Sequence, residues 1–121
     1  MRKTVNQIIV STAIIAMMIT AVAIAGSSTN PRVIHIKAKR FEYTPAEITI
    51  KKGELVVLEL TSEDVKHGFS LPDFKLRADV KPGEISRLEL TPDKTGKFTF
   101  TCDIFCGAGH EDMSGTLTVT D

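Results

Sequence analysis

A chain of 121 residues has room for one domain of ordinary size. Hydrophobic residues make up 42% and charged residues 25%, too apolar a mixture for an unfolded chain. The 15 basic and 15 acidic residues cancel, which disfavours nucleic acid as a partner, and 2 cysteines are too few for a disulfide-stapled mini-fold, an all-cysteine iron–sulfur cluster or a cysteine-only zinc site.

The first predicted element is apolar. Arg2 and Lys3 precede a run over 8–25 that is broken only by Ser11, Thr12 and Thr20. As a helix its 18 residues reach ~27 Å, a short span of a ~30 Å hydrocarbon layer. Its small-residue end, Ala23-Ile24-Ala25, also fits a secretory signal cleaved after Ala25. The length favours an uncleaved anchor, and an apolar surface on every side disfavours a buried helix of the domain. Both favoured readings export the rest of the chain and leave Arg2 and Lys3 on the cytoplasmic side. The expected organisation is therefore an anchor or signal peptide with a short linker over 1–30 and one exported domain over 31–121. That domain would lie in the periplasm or on the outer face, anchored to the membrane, or soluble if the signal is cleaved. With Arg2 and Lys3 set aside, it carries 13 basic against 15 acidic residues, a net of −2.

From Val33 onward the apolar pattern has period two. Over 33–38, Ile34, Ile36 and Ala38 share one face, with His35 and Lys37 on the other. Residues 46–50 alternate likewise, and 55–61 form a β-branched and leucine run suited to a more central strand. Residues 85–90 bring Ile85, Leu88 and Leu90 within reach of a core; 97–101 set Phe98 and Phe100 against Thr99; 116–120 turn Leu117 and Val119 inward. Turn signals at Lys52-Gly53, Lys81-Pro82-Gly83 and from Thr91 to Gly96 separate them. Six or seven short strands at this spacing predict an all-β antiparallel sandwich with no helix after residue 33.

The chemistry is concentrated over 102–113, which reads Cys-x3-Cys-x3-His-x2-Met: Cys102, Cys106, His110 and Met113. Two thiols, an imidazole and a thioether form a soft donor set, which favours copper, Cu(I) above all. Gly107 and Gly109 let the loop fold tightly. A further donor, His67, lies beside Gly68, and in a sandwich a strand end and a distant loop can meet at one pole. Plainer readings stand beside this one. The cysteines could form a small structural disulfide, or Cys102, Cys106, His110 and His67 a closed zinc site, although that gives Met113 no role. Met113 alone would be a core residue and a lone His67 a loop residue; His35 reads as a surface histidine.

The segments HGFSLPDFKLRADVKPGE (67–84) and FTCDIFCGAGHEDMSGTLTV (100–119) resemble the binuclear copper A domain of cytochrome c oxidase subunit II, and nitrous oxide reductase carries a similar domain. The resemblance covers nearly all of 33–120. It implies a cupredoxin Greek-key β-sandwich and two copper ions. Cys102 and Cys106 would be the thiolates bridging both coppers, His67 and His110 would bind one copper each, and Met113 would be a weak ligand of one. The backbone carbonyl of Ile104 would be the weak ligand of the other; many members of the family have an acidic residue there, but a main-chain ligand tolerates the difference.

The implied function is one-electron relay, with no catalytic activity of its own. The partners would be a cytochrome c-like donor and a haem–copper oxidase catalytic subunit or another reductase, with membrane contact through residues 8–25. The alternatives are a mononuclear blue-copper carrier, which leaves Cys102 idle, and a copper chaperone or storage protein. The chain has no Trp. Phe105 and Phe69 are then the aromatic candidates for electron entry, and Asp103, Glu111 and Asp112 would form an acidic docking face for a basic cytochrome c.

Overall fold

The computed structural model describes residues 30–121; the predicted anchor or signal over 8–25 lies outside them. The described residues form nine strands: β1 (Arg32–Lys39), β2 (Glu42–Thr44), β3 (Glu47–Lys51), β4 (Val56–Ser62), β5 (His67–Leu71), β6 (Leu76–Val80), β7 (Ser86–Leu90), β8 (Gly96–Thr101) and β9 (Ser114–Thr120). One sheet has the order β2-β1-β4-β7 and the other β3-β9-β8-β5-β6. Two single-turn 3-10 helices, Pro72–Phe74 and His110–Asp112, are the only helical segments among the described residues, and no helix there is long and apolar enough to cross a membrane.

Period-two alternation places the core between the layers. Ile36 and Ala38 of β1, Ile48 and Ile50 of β3, Phe100 of β8, and Leu117 and Val119 of β9 are buried, while His35, Lys37, Thr49 and Thr99 face solvent. The run over 55–61 is indeed interior, since β4 lies between β1 and β7. Tyr43, Phe69 and Phe100 form the aromatic centre, with ring centroids 5.0–5.9 Å apart, and the Tyr43 hydroxyl donates to the Gly68 carbonyl at 2.6 Å. Burial pushes the Tyr43 phenol well above its ordinary value, so it stays a proton donor.

Several expectations need correction. The sandwich is mixed, because β1 pairs with β4 and β3 with β9 in parallel. Alternation shows which side chains point inward but not the direction of a strand's neighbour; that depends on the chain crossing between layers after β2, β3 and β4. The strands β2, β5 and β6 are additional. Three residues are too few to show a period, β5 begins with His67 and Gly68, both buried like the Phe69 after them, and β6 interleaves Arg77 and Asp79 with small or half-buried residues. Ile85 is 53% exposed just ahead of β7 and does not join the core.

The topology also builds the pole that matters. Because β1 and β4 run in parallel, from Arg32 opposite Val56 to Ala38 opposite Ser62, both end at the same pole. The β1–β2 turn at Arg40 and Phe41 therefore lies beside the loop 63–66 that leads into His67. Strands β5 and β8 pair antiparallel at Ser70 and Thr101, so extending that register brings residues 67–68 alongside 103–104. The long β8–β9 connection, 102–113, closes the same pole.

A candidate metal centre at one pole of the sandwich

Every donor singled out in the sequence lies at this pole. Cys102 Sγ and Cys106 Sγ are 3.8 Å apart, both buried and not joined in a disulfide. Cys106 Sγ is 3.7 Å from His110 Nδ1 and 3.9 Å from Met113 Sδ. Cys102 Sγ is 3.1 Å from the Ile104 carbonyl and accepts the Gly68 backbone N–H at 3.3 Å. One donor atom from each of His67, Cys102 and Cys106 lies within 4.8 Å of the other two.

Local chemistry explains how these side chains are held. His67 is fully buried, and its Nε2 is 2.6 Å from Asp64 Oδ1. The same carboxylate accepts the backbone N–H of Val65 at 2.6 Å and of Arg40 at 2.8 Å. Burial works to raise the Asp64 pKa, but the donors from Arg40, His67 and Val65 outweigh it and hold the carboxyl at about 2. That leaves His67 Nδ1 as a buried nitrogen without a hydrogen-bond partner. A buried polar atom with no partner is costly unless something else binds it, and this one belongs to the donor cluster. Burial, together with the neighbouring Cys102, pushes the Cys106 thiol up to about 11, against the pull of the Arg40 charge, so without metal it keeps its proton at neutral pH. The donor set fits a thiophilic metal: two thiols, two imidazoles, a thioether and a carbonyl, with both thiols, the thioether and His67 buried.

Loop 102–113 is pinned on both flanks. Arg77 grips Asp103 through Nε to Oδ2 at 2.6 Å and Nη2 to Oδ1 at 3.1 Å, and it also pairs with Asp79. Asp103 therefore has its charge engaged within the fold, and Glu111 and Asp112 are the exposed remainder of the expected acidic face. On the other flank Arg40 Nε donates to the Cys106 carbonyl at 2.9 Å. Of the two aromatic candidates, Phe105 is 79% exposed next to the cluster, with its ring 5.9 Å from that of His110, whereas Phe69 is wholly buried and can touch no partner. Sequence reading missed Arg40, Phe41, Asp64 and Arg77. The spacing Asp-x-x-His offered a signal for Asp64, but nothing near Arg40 in the chain points to a residue 66 positions away.

A family model of the cupredoxin-like domain matches residues 10–119. The chain belongs to the cupredoxin-like family. Within it, this cupredoxin-like chain is a relative of cytochrome c oxidase subunit 2. The Thermus thermophilus protein of that name is 33% identical over 101 residues, spanning 84% of this chain and 75% of the relative. Nitrous-oxide reductase of Ralstonia nicotianae is 32% identical over 90 residues, which are 71% of this chain but only 14% of that protein. Among solved structures, the periplasmic domain of subunit II of cytochrome oxidase of Bradyrhizobium japonicum matches with a TM-score of 0.69 at 22% identity, covering 74% of this chain and 84% of that one. That likeness concerns the fold.

Proposed function

We propose that the domain relays single electrons through a binuclear copper centre held by Cys102, Cys106, His67, His110, Met113 and the Ile104 carbonyl. The observation that carries this reading is the convergence of both buried thiols with a buried histidine whose Nδ1 has no other partner. Held by Cys102, Cys106, His67, His110, Met113 and the Ile104 carbonyl, a pair of coppers would supply a one-electron couple. The side chains do the rest. Cys102 and Cys106, both buried, give up protons on loading. Asp64 fixes the ring of His67 so that Nδ1 points into the cluster. The rigid sandwich and the two pinned flanks of the loop keep donor positions nearly constant, which lowers the reorganisation needed for each transfer. Cys106 and His110 are 3.7 Å apart, but both belong to the proposed ligand set, so relay is favoured over bond-making chemistry.

Exposed Phe105, with Glu111 and Asp112 in the same loop, is the surface at which a donor such as a cytochrome c would approach. The kinship with oxidase subunit 2 supports a haem–copper catalytic subunit as acceptor, and residues 8–25 would keep the domain at the outer or periplasmic face of a membrane. The deciding experiment is metal analysis after competitive loading with copper and zinc. Two coppers per chain and a mixed-valence electron paramagnetic signal are expected. One copper with a single intense blue band would make the site mononuclear, and zinc in preference to copper would end the relay reading.

A further inference from the structure

The β1–β2 turn carries no metal-binding side chain, yet it touches both ligand-bearing segments. The Arg40 backbone N–H donates to Asp64 Oδ2 at 2.8 Å, and the other oxygen of that carboxylate holds His67. The Arg40 side chain runs the other way, and its Nε donates to the Cys106 carbonyl at 2.9 Å. Phe41 completes the contact: a Cβ on Gly107 would come within 2.8 Å of its ring and a Cβ on Gly109 within 2.5 Å. With φ of +144° at Gly107, only glycine suits that position on two counts. The turn thus lies flat on the half of the loop that carries Cys106 and His110, opposite the flank gripped by Arg77 and Asp103.

We propose that Arg40 is a positioning residue of the metal centre: it registers the Cys106–His110 half of the loop against the His67 strand, and its fixed positive charge raises the reduction potential of the centre. The potential half rests on the copper reading above; the registration half does not. A hydrogen bond from a charged donor contributes more than a neutral one, and guanidinium geometry suits a carbonyl held at one flank. A fixed cation beside the thiolates disfavours the more positive, oxidised state, so its removal lowers the potential.

The test compares the full-length chain with Arg40→Met and Arg40→Lys. In the metal-free state, amide hydrogen exchange over residues 103–113 should speed up roughly tenfold or more in Arg40→Met, while β1, β4 and β9 exchange as before. Arg40→Lys keeps the charge but loses the fork, so it should protect the loop only in part. In the copper-loaded state, the potential should fall in Arg40→Met and return close to its original value in Arg40→Lys. Loop exchange within twofold of the unmodified chain overturns the registration role. An unchanged potential in Arg40→Met overturns the electrostatic role. If the unmodified chain takes up no copper, the relay reading and the potential role fall together, and the metal-free exchange still decides the registration role. Arg40 is exposed, and should the Met variant fail to fold, Arg40→Gln also removes the charge and carries the same comparison.

Discussion

Removing the carboxylate behind His67 should destabilise the protein and loosen its hold on metal by amounts that the geometry bounds. In Asp64→Ala, three donors lose their acceptor: the backbone N–H groups of Arg40 and Val65, and His67 Nε2. The first two lie at the surface, where water replaces the carboxylate cheaply. The imidazole is fully buried with Nδ1 already unpartnered, so both of its nitrogens would then lack protein partners. An unsatisfied buried polar group costs roughly 1–3 kcal/mol. For a domain of this size about 2 kcal/mol lowers the melting temperature by roughly 8–16 °C. Losing an outer-shell partner of a ligand should also weaken metal binding about 10–100-fold.

The pH dependence gives a sharper check. The Asp64 carboxyl is held at about 2 in the folded chain, below the ~3.9 of an unfolded aspartate, so its contribution is fully present above ~4 and is lost as pH falls towards 2. Asp64→Asn cannot titrate, so the gap in melting temperature between it and the unmodified protein should close on acidification from pH 5 to pH 2. Thermal denaturation of the metal-free protein across that range measures both effects. A loss under about 2 °C in Asp64→Ala, or a gap to Asp64→Asn that stays constant with pH, would refute the reasoning.

Three further outcomes are expected. Cys102→Ser and Cys106→Ser should each abolish the mixed-valence paramagnetic signal, whereas Met113→Leu, a volume-conserving change in a buried site, should cost less than about 1.5 kcal/mol, keep two coppers and mainly shift the potential; an intact spectrum in Cys102→Ser would make the site mononuclear. The protein should stay in washed membranes with residues 8–25 attached, and a mature chain beginning at Gly26 in a soluble periplasmic fraction would show a cleaved signal instead. Glu111→Lys with Asp112→Lys should slow electron transfer from a basic cytochrome c at low salt without altering the copper spectrum, and stopped-flow rates insensitive to ionic strength would remove the acidic contribution to docking.

How much of the fold and the site was legible in the sequence depends on the range over which each signal acts. Strands β1, β3, β7, β8 and β9 announce themselves because one face of each is more buried than the other, so a period-two pattern survives in the residues, while β4 shows as a continuous apolar run. Strand β5 breaks that pattern, since three consecutive residues, His67, Gly68 and Phe69, are all buried where the strand closes over the site. Strand β6 hides for the opposite reason: Arg77 and Asp79 serve the ion network over Asp103 and make a strand look like a loop. Parallel pairing of β1 with β4 leaves no local trace at all.

The donors were readable because four of them lie in one short stretch whose residue types have few other uses together. Their supports were not, because Asp64, Arg77 and Arg40 are ordinary charged residues that gain a role only when separate strands converge. The same difference changes the character of the rim. As sequence, Asp103 belongs to an acidic face with Glu111 and Asp112; in the fold it is held in a two-point grip by Arg77, while Arg40 and Lys66 line a hollow with Phe105, Lys66 itself paired with Asp79. The exposed aromatic therefore has charges of both signs nearby: Glu111 and Asp112 in its own loop, and Arg40 and Lys66 beside it. An approaching partner would meet that mixture of charges and not a uniformly negative field. Salt should then screen both the attraction of a basic partner to Glu111 and Asp112 and its repulsion from Arg40 and Lys66, so the net salt dependence is smaller than an all-acidic rim would give.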